Sequence, residues 1–179
     1  MDNQILCITA TAKHIGKTSL ACAIIQHFQQ AKIGGLKVAS YPHESLYKHH
    51  PEVDREKGYL LVDEQIPSDA NDSARMLAAG AEKSFFLACP THTVQEHVDE
   101  LVRQFPFLLW VVESNALVQI KPQLPFILLY NKEKPVKASA RALLKKAPVV
   151  FFTLDEALTK FQRIVRQTKN QWHLDLSAV

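Results

Sequence analysis

Thr11-Ala12-Lys13-His14-Ile15-Gly16-Lys17-Thr18 ends in residue types that bind phosphate, and it lies between an apolar run and an amphipathic segment. That context suits a loop between a buried strand and a helix. The backbone N–H groups from Lys13 to Ser19, through His14, Ile15, Gly16, Lys17 and Thr18, would then point at phosphate oxygens, where the helix dipole favours an anion. Lys17 would reach the terminal phosphates of a nucleotide and the Thr18 hydroxyl would hold Mg²⁺. The usual pattern, G-x-x-x-x-G-K-[ST], begins with glycine for a tight turn, and Thr11 stands there instead. Threonine at that position demands a different backbone. The alternative is an ordinary strand-to-helix turn carrying a surface lysine.

A metal-side acid belongs at the end of a neighbouring strand. Glu113 closes the buried run Phe107 to Glu113 and could hold Mg²⁺ or its water. Lys37 sits inside the run Gly35 to Ser40, where a lysine must snorkel or meet an anion, and it joins Lys17 as a candidate catalytic cation. Asn131 ends another run, where its amide could contact a base; Asn-Lys is also a common turn. His43, His49 and His50 accompany Glu44, Glu52 and Asp54 in a polar segment that suits a loop closing over substrate better than a metal site. No G-x-S-x-G nucleophile motif occurs.

The elements that must position these residues follow from periodicity. Six apolar runs, Gln4 to Ala10, Gly35 to Ser40, Ser84 to Cys89, Phe107 to Glu113, Pro125 to Asn131 and Pro148 to Thr153, are nearly continuous, as strands covered on both faces should be. Helical spacing separates several of them: Leu20, Ile24, Ile25 and Phe28; Val94, Val98, Leu101 and Phe105; Leu154, Leu158, Phe161 and Val165. Thr93 with Glu96 and Thr153 with Glu156 have the spacing of capping boxes. The alternation predicts one α/β domain over residues 1–179, with a mainly parallel central sheet flanked by helices. The acidic stretch from Tyr41 to Asp72 lacks a period and is expected to be a long loop excursion.

Composition sets limits. With 179 residues, 47% hydrophobic and 22% charged, the chain can bury a core unaided. No run reaches the length of a membrane span and the N-terminus lacks a signal-peptide pattern, so the expected compartment is cytoplasmic. Cys7, Cys22 and Cys89 lie in apolar contexts without CxxC spacing and read as buried free thiols. The net charge of +3 hides ten Lys or Arg against three Asp or Glu from Lys132 to Asn170, and three against eight from Glu44 to Asp72. On amphipathic helices such a basic end is a solvated face, and no aromatic-interleaved basic motif points to nucleic acid.

The loop, Lys37, "VVES" and "NDSARMLAAGA" together resemble the molybdopterin-guanine dinucleotide biosynthesis protein B family of small P-loop GTP-binding proteins. Asp72-Ser73 precedes Ala79-Gly80-Ala81 at that family's spacing, and the resemblance runs from about Ile5 to Ala116. It implies a three-layer P-loop NTPase fold, Mg²⁺ with GTP or ATP, weak triphosphatase activity, and a protein partner in molybdenum-cofactor biosynthesis. Departures are Thr11 for glycine, Lys37-Val38 for Lys-His, and Ser114 for the glycine after the acid. "TATAKHIGKT", "LKVAS" and "VVESNA" also resemble dethiobiotin synthetase, an ATP-dependent ligase, with Lys17, Thr18, Lys37 and Glu113 in matching places and the "GAGG" acid loop missing. A scaffold whose altered loop no longer handles triphosphate is the non-enzymatic alternative. An exposed sheet edge would allow a homodimer.

Overall fold

Apolar runs without alternation need cover on both faces, and the sheet is built that way. The structure, a computed structural model, describes residues 2–50, 52–169 and 171–178, apart from the side chains of His43, Glu44, Tyr47 and Ser139. Its strands are β1 (Ile5–Ala10), β2 (Ile33–Tyr41), β3 (Leu60–Asp63), β4 (Lys83–Pro90), β5 (Leu109–Glu113), β6 (Phe126–Leu129) and β7 (Val149–Phe151), in the spatial order β3-β4-β2-β5-β1-β6-β7. Neighbours run parallel except β3, which is antiparallel to β4 at one edge. Every residue of β1, β5 and β6 is buried.

The helices are α1 (Lys17–His27), α2 (His43–His49), α3 (Asp72–Ala78), α4 (Val94–Gln104), α5 (Asn115–Ile120), α6 (Ala138–Leu144) and α7 (Leu154–Ile164). Leu20, Ile24 and Ile25 of α1, Met76 of α3 and Phe161 and Ile164 of α7 pack with one set of strand residues. Val98 and Leu101 of α4, Leu117 of α5 and Leu143 of α6 pack with the alternate set, so helices cover both faces. The connections leaving β1 and β6, which are neighbours, depart toward opposite ends of the sheet, toward β2 and β7. A crevice at the carboxyl ends of the strands follows from that divergence.

Four sequence expectations are corrected. The stretch from Tyr41 to Asp72 is not a plain loop: Leu46 of α2 packs with Val53 and Ala88, and β3 adds the antiparallel edge. Val165 does not extend the last helix but opens a hairpin of β8 (Val165–Thr168) and β9 (Gln171–Leu174), which seats Trp172 in the core with its Nε1 donating to the Trp110 carbonyl at 3.1 Å. Thr93 makes no capping box, because its hydroxyl donates back to the Pro90 carbonyl at 3.1 Å; Thr153 does cap α7, accepting from the Glu156 N–H at 3.0 Å. Cys7 and Cys89 are buried free thiols, whereas Cys22 is only half-buried. Among the described residues no helix is long and apolar enough to cross a membrane.

Candidate functional site

The crevice holds a cavity of about 830 Å³ whose wall includes every residue from Lys13 to Ser19, together with Lys37, Asp72, Glu113 and Lys137. Its floor follows from sheet register. Lys37 on β2 and Glu113 on β5 are direct partners in the parallel ladder, and Glu113 also lies opposite Ile8 of β1. Side chains alternate along strands, so Lys37 and Glu113 emerge on the face that α1 covers.

The loop before α1 meets them from above. Gly16 has φ +93°, the left-handed region where a side chain is strained, and a Cβ there would lie 2.7 Å from the Leu154 side chain. His14, at φ 55°, takes the same hand. No side chain caps α1, and its first residues Lys17, Thr18 and Ser19 line the cavity. Thr11 shows that the first position needs no glycine. It is fully buried outside the positive-φ region; its N–H donates to Leu129 O at 3.0 Å, its Oγ1 accepts from Asn131 N–H at 3.2 Å, and its carbonyl accepts from Lys137 N–H at 2.8 Å.

Glu113 is the centre of the charged cluster. Only 2% exposed, it accepts a 2.7 Å hydrogen bond from the Thr18 hydroxyl at Oε2, while Oε1 takes the Lys37 ammonium in a short contact and Lys17 Nζ at 3.3 Å. Lys37 also reaches Asp72 Oδ2 at 2.7 Å. Burial alone would pull the Lys37 ammonium down, but the charges and hydrogen bonds of Glu113 and Asp72 outweigh it and hold it above the usual lysine value. Burial would raise Asp72; the bond and charge of Lys37 instead hold it below the ordinary aspartate range. Lys137 moves the opposite way to Lys37: partial burial and the charges of Lys17, Lys13 and Lys37 lower its ammonium.

The residues expected to act together from Lys13 to Ser19, with Lys37 and Glu113, do converge on one cavity. Asn131 does not line it; its Oδ1 accepts from Glu133 N–H at 2.8 Å in a side-chain turn beside Thr11. Asp72 opens α3 but does not cap it. Asn71 caps α3 by accepting from Ala74 N–H at 2.8 Å, which leaves the Asp72 carboxylate for Lys37, while Gly80 ends the helix at φ 101°. Ser114, where a glycine was expected, caps α5 with its hydroxyl at 3.1 Å from Leu117 N.

Sequence reasoning missed Lys137 and Asn115. Asn115 clamps the end of β1, accepting from Ala10 N–H at 2.9 Å and donating to Ala10 O at 2.8 Å. The available signal was its place two residues after Glu113. In the histidine-rich segment the side chains of His43 and Glu44 lie outside the described residues; among the described residues no group of three or more His, Cys, Asp or Glu could hold an ion, and His50 bonds Glu52 at 3.2 Å and Tyr41 OH at 3.4 Å. Comparison with protein-family models, with curated proteins and with solved structures finds no match for this chain.

Proposed function

We propose that the chain binds a purine nucleoside triphosphate with Mg²⁺ at the N-terminus of α1 and hydrolyses it slowly, as a P-loop protein. The observation that carries this is the 2.7 Å bond between the Thr18 hydroxyl and buried Glu113, flanked by the Lys17 and Lys37 ammonium groups. Phosphate oxygens would take the α1 amides and Lys17, freeing that lysine from Glu113. The Thr18 hydroxyl with the Glu113 and Asp72 carboxylates is an all-oxygen donor set, which suits Mg²⁺. Two acids are too few for a dedicated metal cage, so the ion would arrive with the nucleotide. When bound, it would neutralise charge on the phosphate chain and fix its orientation.

Slow turnover follows from the acids. Glu113 and Asp72 are both committed to ammonium groups, and a carboxylate held that way is a poor base for an attacking water. The resemblance of "VVES" and "NDSARMLAAGA" to the molybdopterin-guanine dinucleotide protein B family supports a role in molybdenum-cofactor biosynthesis, alongside a protein partner of that route. A second reading, an ATP-dependent ligase or kinase resembling dethiobiotin synthetase, draws on the cavity's extension past the loop to Ser40, Tyr41, Thr91 and Gln119, which leaves room for an acceptor.

The test is calorimetric titration of GTP and of ATP, each with Mg²⁺, into the wild type and Lys17→Ala. Binding of one nucleotide that falls at least tenfold in the variant is the expected result; a lost charged hydrogen bond is worth about 1.5–3 kcal/mol. If neither binds at millimolar concentration, the enzyme readings fall and a scaffold stands. Manyfold stimulation of turnover by a small amine- or carboxylate-bearing acceptor would move the assignment to the ligase reading.

A further inference from the structure

Among the lysines on the cavity wall, Lys13 and Lys137 form no ion pair among the described residues, and of these two only Lys137 is half-buried, Lys13 being exposed. Lys137 lies between β6 and α6, and its backbone N–H donates to Thr11 O at 2.8 Å, tying that connection to the loop before α1. Its half-buried side chain lines the same cavity as Lys17 and Lys37. Those two have carboxylate partners: Lys17 lies 3.3 Å from Glu113, and Lys37 meets both Glu113 and Asp72. Lys137 forms no ion pair among the described residues.

The arrangement is electrostatically unfavourable as it stands. Like charges gathered in a cleft repel, and an anion relieves them. Lys17, Lys13 and Lys37 act on Lys137 as like charges, while Glu113, which pulls the other way, has its oxygens already occupied. Lys137 shares one cavity wall with Lys17 and Lys37, the ammonium groups that would read the terminal phosphates.

We propose that Lys137 is a catalytic residue: it donates to the transferring γ-phosphoryl group and stabilises the charge that builds there and on the β–γ bridging oxygen during transfer. This rests on the nucleotide reading above. In the step, the bond from the water oxygen to the γ-phosphorus forms as the bond from that phosphorus to the bridging oxygen breaks. The electron pair leaves with the nucleoside diphosphate and the water's proton passes to the released phosphate. Charge on the bridging oxygen grows only as its bond to the γ-phosphorus breaks, so a cation that donates there gains most in the transition state and its effect falls on kcat more than on binding.

The experiment measures Mg²⁺-dependent GTP and ATP hydrolysis under single-turnover conditions for the wild type, Lys137→Met, Lys137→Gln and Lys137→Arg. Calorimetric affinity for each triphosphate, and for the diphosphate with aluminium fluoride, is measured alongside. All three variants keep the backbone N–H to Thr11, and thermal melts verify that they fold. The neutral variants are expected to bind triphosphate within about threefold of wild type, to lose about a hundredfold in kcat, and to lose the aluminium fluoride complex; Lys137→Arg recovers most of both. Unchanged kcat in the neutral variants overturns the assignment while the nucleotide reading stands, and so does a loss confined to triphosphate affinity. Failure of the wild type to bind either nucleotide overturns both.

Discussion

Glu113 is a nearly inaccessible carboxylate whose two oxygens are fully engaged, one by the Thr18 hydroxyl and the other by Lys17 and Lys37. Burial of such a group is tolerable only with every partner present. Truncation and neutralisation should therefore differ. Glu113→Ala leaves Lys17 without an acid and Lys37 with Asp72 alone, and unfolding in urea should show a loss of about 3 kcal/mol, the scale for breaking a buried pair. Glu113→Gln keeps the shape and an oxygen for Thr18, so it should lose less stability. Its deficit should appear in the metal: wild-type affinity for triphosphate should rise with added Mg²⁺, and the Gln variant's should not. Equal Mg²⁺ enhancement in both proteins would remove Glu113 from the metal side.

At the scale of elements, the loop before α1 shows how a departure from a pattern is absorbed. Thr11 replaces conformational freedom with three tethers, to β6, to Asn131 and to Lys137. Restoring glycine should therefore harm: Thr11→Gly loses a buried hydroxyl with its hydrogen bond and leaves a void, costing about 1–3 kcal/mol without tightening nucleotide binding. Gly16→Ala is predicted to be worse for binding, since its Cβ would meet Leu154 at a φ costing about 1–2 kcal/mol and would misdirect the first amides of α1. Calorimetry and thermal melts on both variants check the pair, and tighter binding in Thr11→Gly would contradict it. The central strands were legible because an uninterrupted apolar run has few other uses, and Lys37 and Glu113 stood out as charges within or at the end of such runs. The acidic stretch hid α2 and β3, whose exposed Leu61 and Val62 alternate with nothing decisive. Short α5 and α6 offer too few turns for a period to emerge. The β8–β9 hairpin turns through Lys169 at φ 50°, without the glycine that usually marks such a turn. Lys137 reaches the site only because β6 flanks β1, a consequence of strand order that local sequence does not encode.

For the whole molecule, the site's ion pairs join strand β2 to helix α3 and strand β5, so their protonation bears on global stability. Lys37 sits above its ordinary value of 10.5; its contribution is full below that pH and fades as pH rises through the raised value. Asp72 sits below its ordinary 3.8, so its contribution is full above that pH and is lost as pH falls through the lowered value. Stability from this cluster should thus form a plateau between about pH 4 and pH 10.5. His97 adds a slope inside it. Burial holds its imidazole below the ordinary 6.5 despite Glu96 and Glu100, in a ring contact with Tyr59 at 4.1 Å. The unfolded chain binds that proton more readily, so stability should climb as pH rises toward 6.5 and then level off. Urea unfolding from pH 3 to pH 11 separates the sources. Lys37→Met removes the raised lysine and the partner that lowers Asp72, so both outer limbs should shrink together while the His97 slope persists. His97→Asn should remove only the inner slope. Outer limbs that survive intact in Lys37→Met would mean that the cluster beneath α1 is electrostatically uncoupled from folding, and that its charges are arranged for a ligand alone.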